Sequence, residues 1–174
     1  VFLGSSCIYP VSENPLKESD LINGKLEETN IAYAIAKIAG IKLCRSFNNQ
    51  YDCNYISVLP CNLYGPNDNF SNDDSHVIPA LIRKIYEAKK ENENECSIWG
   101  SGKPLREFLY VDDLATGLIF LADKYDSPEP INIGSGEEYS IKEIALKISE
   151  IVGFKGNLVF DENYPDGVMR KILD

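Results

Sequence analysis

The chain is short of several residue types. It has one His, one Trp and one Met in 174 residues. No run of apolar residues approaches the roughly 20 that a membrane-spanning helix requires. Basic residues number 17 against 27 acidic ones, giving a formal net charge of −10. A chain with a pI near 4.6 is a poor partner for nucleic acid or anionic lipid. The five cysteines, at 7, 44, 53, 61 and 96, are odd in number, and no two form a CxxC pair. That pattern argues against a disulfide framework and against a zinc site. It predicts a reduced, cytoplasmic protein with no metal, nucleic-acid or membrane partner.

What is present is an ordinary globular composition, 44% hydrophobic and 25% charged, in a length sufficient for a packed core. The apolar pattern switches repeatedly between strand and helix periods. Val1–Gly4 reads as a buried strand and residues 9–30 as a loop. Asn30 is the expected cap of a helix over about 31–50, a helix apolar on more than one face. Residues 55–59 read as a second strand, followed by a polar loop over 65–75 and a helix over 76–89. Strands are expected at 96–99 and 107–110, and Glu91–Glu95 as a solvated loop. A helix over 111–122, a strand over 130–133, a helix over 140–152 and a strand over 157–161 complete the pattern. Ser140 and Glu143 have capping-box spacing. Alternating strands and helices predict an α/β fold with a largely parallel sheet. In such sheets ligands bind at the carboxyl ends of the strands, which singles out Ser5-Ser6-Cys7, Asn62 and Gly134-Ser-Gly136.

Tyr33 and Lys37 lie four apart on the predicted helix and so share a face. A phenol beside a cation can hand a proton to an alkoxide that develops as a nicotinamide delivers hydride, while a Ser hydroxyl from a strand end holds the oxygen. By itself the YxxxK spacing describes a surface pair equally well.

Longer strings narrow the reading. Leu3-Gly-Ser-Ser-Cys-Ile-Tyr-Pro10, Tyr33-Ala-Ile-Ala-Lys-Ile-Ala-Gly40 and Asn62-Leu-Tyr-Gly-Pro66 are followed by Asp68-Asn-Phe70 and Ser75-His-Val-Ile-Pro-Ala-Leu81. Trp99-Gly-Ser-Gly102, Arg106-Glu-Phe-Leu109 and Pro165-Asp-Gly167 complete the set. Together they resemble the extended short-chain dehydrogenase/reductases. Within that superfamily the chain is similar to the enzymes that epimerise and reduce GDP-4-keto-6-deoxy-mannose. The resemblance implies the C-terminal part of a Rossmann-type parallel sheet plus a smaller α/β substrate region. Residues 1–66 would belong to the NADP-binding domain and 67–174 mostly to the substrate region, with about 111–133 returning to the first.

The resemblance further implies NADPH as cofactor and a GDP-sugar as substrate. It gives Ser5, Cys7, Tyr33, Lys37 and His76 the catalytic roles. Ser5 holds the keto oxygen, Tyr33 donates the proton, Lys37 supports Tyr33, and Cys7 and His76 move protons at carbons 3 and 5. Leu3, Gly4, Ser5, Ser6, Tyr33, Lys37, Pro60, Cys61, Asn62, Leu63 and His76 border the cofactor, while Lys84, Trp99, Arg106 and Asp166 hold the substrate. Cys61 stands where the family usually has Thr. A homodimer through helices 31–50 and 77–89 is implied as well.

Val1 begins mid-pattern without Met, so the start is expected upstream, together with the Gly-rich phosphate turn and the basic residue that recognises the 2′-phosphate. The isolated 174 residues are therefore expected to lack reductase activity and to bind GDP better than NADPH. Other readings are a different nucleotide-sugar epimerase or dehydratase, and a sugar-nucleotide-binding module without catalysis.

Overall fold

The computed structural model describes residues 1–72 and 74–174. In chain order the elements are β1 (Phe2–Leu3), α1 (Ile31–Tyr51), β2 (Ser57–Pro60), β3 (Asn62–Tyr64), α2 (Val77–Lys90), β4 (Glu95–Trp99) and β5 (Leu105–Tyr110). Then come α3 (Val111–Lys124), β6 (Ile131–Ile133), β7 (Glu138–Ser140), α4 (Ile141–Val152), β8 (Asn157–Asp161) and β9 (Arg170–Lys171). Single 3-10 turns at Ser6–Ile8, Glu18–Asp20 and Glu28–Asn30 interrupt the first loop. The elements divide between two compact units. One comprises residues 1–63, 107–137 and 170–174, and the other residues 64–106 and 138–169.

The first unit is built on a parallel sheet in the order β1-β2-β6. Phe2 and Leu3 pair with Ser57 and Val58, and Val58 to Pro60 pair with Ile131 to Ile133. All four residues of β2 are buried, as the continuous apolar run of a central parallel strand requires. Beneath it lie Ile8, Tyr9, Leu16, Ala34, Ile41, Leu59, Leu109, Leu114 and Leu173. Helix α1 approaches β1 closely because Gly40 has no side chain; a Cβ there would run into the Phe2 ring. Only Ala34 and Ile41 of α1 are buried. Ile31, Ile35, Leu43 and Phe47 remain exposed, which matches the expectation of a helix apolar on more than one face.

The second unit pairs β4 with β8 in parallel, Glu95 opposite Asn157 through Trp99 opposite Asp161. Strand β4 alternates strictly, with Cys96 and Ile98 inside and Trp99 outside. Helices α2 and α4 supply Leu81, Ile85, Ala88 and Ala145 to its core, joined by Phe154. The Ser140–Glu143 capping box forms at the start of α4, and Gly153, at φ 74°, closes the helix in the left-handed region.

The Asn30 cap does not form. Asn30 flanks α1 without a side-chain capping bond; its amide instead donates to Glu27 Oε2 at 3.1 Å. Strand β4 begins one residue inside the acidic run, at Glu95. Strands β3, β7 and β9 were not expected from the sequence. Among the described residues no helix is long and apolar enough to cross a membrane.

Candidate active site

In the first unit the carboxyl ends of β1, β2 and β6 lie in register, so the polar residues that follow them collect on one edge. Gly4 continues β1 through its N–H to Val58 O at 2.8 Å. Its Cα sits against Leu59 with no room for a Cβ. The chain then turns. Ser5 is extended and its Oγ accepts the Cys7 N–H at 3.1 Å, which caps the turn that follows. The capping oxygen is thereby held in place, and the Ser5 hydroxyl keeps its proton for donation.

Lys37 ties the helix to this strand end. Its ammonium donates to Leu3 O at 2.8 Å. It also stands 5.7 Å from the Tyr33 ring centroid and 5.4 Å from that of Phe2. Tyr33 is 46% exposed, so its phenol is open to a ligand. Four-residue helical spacing, the absent side chain at Gly40 and one hydrogen bond thus bring Tyr33, Lys37 and Ser5 to the same strand end.

Cys7 is half-buried and reduced. Its sulfur lies 3.7 Å from Lys171 Nζ, and Lys171 is in turn 3.4 Å from Glu27 Oε2. Burial opposes ionisation of Glu27. The Lys171 charge and hydrogen bonds from Asn30, Lys171 and Thr29 outweigh it and hold the carboxyl below its usual range. Sequence reasoning missed both partners. Lys171 is 164 positions from Cys7, and neither residue stands at a motif position that draws attention.

Asn62 follows β2 and donates to Glu107 O at 3.0 Å. Glu107, 1% exposed, accepts from Gly136 N at 2.8 Å and Leu173 N at 3.0 Å. It fixes the turn after β6 and was also missed. Next to it, burial and then the Glu107 charge push the Cys61 thiol up to about 12. Cys61 is accordingly a neutral packing group.

The second unit carries the remaining predicted residues. His76 is exposed at the N-terminus of α2, where its carbonyl accepts from Ala80 N at 3.0 Å and its ring makes no capping bond. Lys84, about two turns of α2 further on, places its ammonium 4.2 Å from the Trp99 ring centroid. Partial burial lowers its pKa, opposed by the Cys96 thiol. Trp99 is 57% exposed, so it stands on the surface rather than in the core. Arg106 is half-buried and donates to Leu105 O at 2.8 Å. Asp166 accepts from Ser101 N at 2.6 Å and Ser101 Oγ at 2.7 Å, and these bonds hold its carboxyl below the usual range. Its visible task is to tie the 162–167 loop to the Gly100-Ser101 turn. Among the described residues no three His, Cys, Asp or Glu side chains gather into a metal site.

Parallel strand ends here present a hydroxyl, an ammonium and an amide near a half-exposed tyrosine, on the sheet edge where ligands of such α/β folds bind. Residues 1–134 match the NAD dependent epimerase/dehydratase family, and the chain belongs to that family. It is 55% identical over 174 residues to a GDP-L-fucose synthase of Sinorhizobium fredii, covering 99% of this chain and 55% of that protein. Its identity to the GDP-L-fucose synthase of Escherichia coli K12 is 51%, covering 100% of this chain and 57% of that one. Among solved structures, a GDP-L-fucose synthetase from Naegleria fowleri bound to NADP superposes with a TM-score of 0.93 at 37% identity, covering 99% of this chain and 56% of that one. The chain therefore spans about half the length of the relatives it matches.

Proposed function

We propose that the protein carrying this chain inverts carbons 3 and 5 of GDP-4-keto-6-deoxy-D-mannose and reduces its 4-keto group with NADPH, giving GDP-L-fucose. The observation that carries this reading is the Lys37 bridge to Leu3 O, which ties the helix bearing Tyr33 to the end of β1, where Ser5 follows. The identities of 51% and 55% to relatives named for that activity support it.

The donor set fits the nicotinamide end of the cofactor. Ser5, Lys37 and Asn62 offer a hydroxyl, an ammonium and an amide along one sheet edge, the groups that bind ribose hydroxyls and a carboxamide. When bound, NADPH supplies the hydride. Ser5 orients the substrate ketone by donating to its oxygen. Tyr33 gives its phenolic proton to the same oxygen, and Lys37 holds the developing phenolate. The ketone acidifies the protons on carbons 3 and 5. Cys7 and His76 are assigned to their removal and return, a task that needs groups on opposite faces of the sugar. Trp99, Lys84 and Arg106 suit the nucleotide. The fork of Arg106 pairs with phosphate oxygens, and Trp99 backs the exposed aromatic pair at the nucleotide.

In this reading residues 1–66 complete a cofactor domain to which 111–133 return, and the rest is the substrate region. The exposed apolar face of α1, with α2, forms a homodimer contact in a cytoplasmic enzyme. The test is turnover in D2O. The whole protein, given the keto-sugar and NADPH, is expected to oxidise NADPH and yield GDP-L-fucose deuterated at carbons 3 and 5. NADPH oxidation with no solvent deuterium in the product would make it a simple reductase and overturn the reading.

A further inference from the structure

Trp99 and Tyr164 form an exposed aromatic stack. Their ring centroids are 4.6 Å apart and their planes differ by 9°. The two residues remain 57% and 41% exposed. The pair is also braced. Trp99 lies two residues before Ser101, and Tyr164 two before Asp166. The two bonds between Ser101 and Asp166, at 2.6 and 2.7 Å, tie the two backbones together. Gly100, at φ 82°, lets this happen, since a Cβ there would press on the Asp166 carboxylate at 2.5 Å. A charge-assisted clamp at the base of an exposed stack preorganises it for a ligand.

The indole itself is not the open surface. A parallel ring 4.6 Å away takes one face of Trp99. The Lys84 ammonium, 4.2 Å from the indole centroid, needs the space directly over a face and takes the other. No third ring fits between Trp99 and Tyr164 at that separation. The face left to a planar ligand is the outer face of Tyr164. Cations stand nearby in the same unit: Lys84 over the indole, and Arg106, whose guanidinium comes within 4.0 Å of where a Gly167 Cβ would lie. A flat aromatic face with the Arg106 guanidinium close to its own loop suits one ligand class, a base joined to a diphosphate.

We propose that Tyr164 is the base-stacking residue of the nucleoside-diphosphate site, and that the nucleotide adds to the Trp99–Tyr164 pair as a third layer. This rests on the nucleotide-sugar reading above and assigns its base to a residue the motifs did not single out. Trp99 then acts as the backing of Tyr164, and Lys84 fixes the indole from behind.

The experiment is calorimetric titration of the whole protein and its Tyr164→Ala and Tyr164→Phe variants with GDP, UDP and inorganic pyrophosphate. Tyr164→Ala is expected to weaken GDP about tenfold, the effect of losing one stacked base. Tyr164→Phe should stay within about twofold, because it keeps the ring. Pyrophosphate, which has no base, should bind all three alike. Unchanged or tighter GDP binding by Tyr164→Ala would overturn the proposal. So would an equal loss for pyrophosphate, which would mark a collapsed loop. A wild type that prefers UDP would sink the GDP-sugar reading, and Tyr164 would then be judged by its effect on UDP. A wild type that binds neither nucleotide would sink both.

Discussion

The two units use their polar residues in different ways. In the first, side chains grip the backbone at strand ends. Lys37 reaches Leu3 O, Ser5 caps the Cys7 N–H, and Glu107, almost wholly buried, holds Gly136 and Leu173. In the second, the comparable residues stand on the surface. Trp99 and Tyr164 are exposed, Lys84 lies on an aromatic face, and Asp166 is locked by hydrogen bonds to Ser101. Under the proposed function the difference follows from the tasks. Proton transfer tolerates little positional error and draws on fixed parallel strand ends. Recognition of a base and a diphosphate needs open flat surface and donor forks. The account therefore expects substitutions in the first unit to lower turnover and substitutions in the second to weaken binding.

The largest expected effect lies in the first unit. Cys7→Ala in the whole protein should lower deuterium incorporation at carbons 3 and 5 by about 10²- to 10⁴-fold, the usual weight of a positioned acid or base. Mass spectrometry of the product reads this, and normal incorporation would remove Cys7 from the chemistry. Next comes the packing that sets the strand end. Gly40→Ala places a methyl group in the Phe2 ring and should cost about 1–3 kcal/mol of stability, read from urea midpoints. An unchanged midpoint would mean that α1 need not approach β1 so closely.

In the second unit, Ser101→Ala removes a hydroxyl partner of Asp166. It should raise the KM for the GDP-sugar about tenfold with kcat nearly unchanged, since a hydrogen bond to a charged group is worth about 1.5–3 kcal/mol and the backbone bond survives. A fall in kcat alone would erase the contrast between the units. The smallest effect is a pH dependence. Glu27 is held below its ordinary range in the folded state. Its contribution is therefore complete above the unfolded glutamate value of about 4.3 and is lost as pH falls through the lower folded value. Glu27→Gln should flatten that acid limb of stability and lower stability slightly at neutral pH, the two proteins converging as pH falls below the folded value.

Much of the fold was legible in the sequence because periodicity carries it. Helices α1, α2, α3 and α4 and strands β2, β4, β6 and β8 are apolar patterns long enough to declare their type. Strands β3, β7 and β9 are two or three residues each and exist through partners distant in sequence, so no local signal marks them. The Asn30 cap failed for a related reason. Asn30 is drawn into the preceding 3-10 turn, where its side-chain NH2 donates to Glu27, and its side-chain oxygen makes no bond to the helix N–H groups. In the site, Tyr33 and Lys37 could be placed because helical spacing fixes their shared face. Lys171, Glu27 and Glu107 reach their positions only through tertiary packing. Tyr164 joins Trp99 through the pairing of a loop with a turn more than 60 residues away.

The claim at the centre of the account is that Tyr33, held by the Lys37 bridge, serves the reduction while Cys7 serves the inversion. The most direct test follows NADPH oxidation and solvent exchange together in Tyr33→Phe of the whole protein. The account predicts that NADPH oxidation falls by about 10²-fold or more while deuterium still enters at carbons 3 and 5. Loss of exchange as complete as the loss of reduction would contradict it.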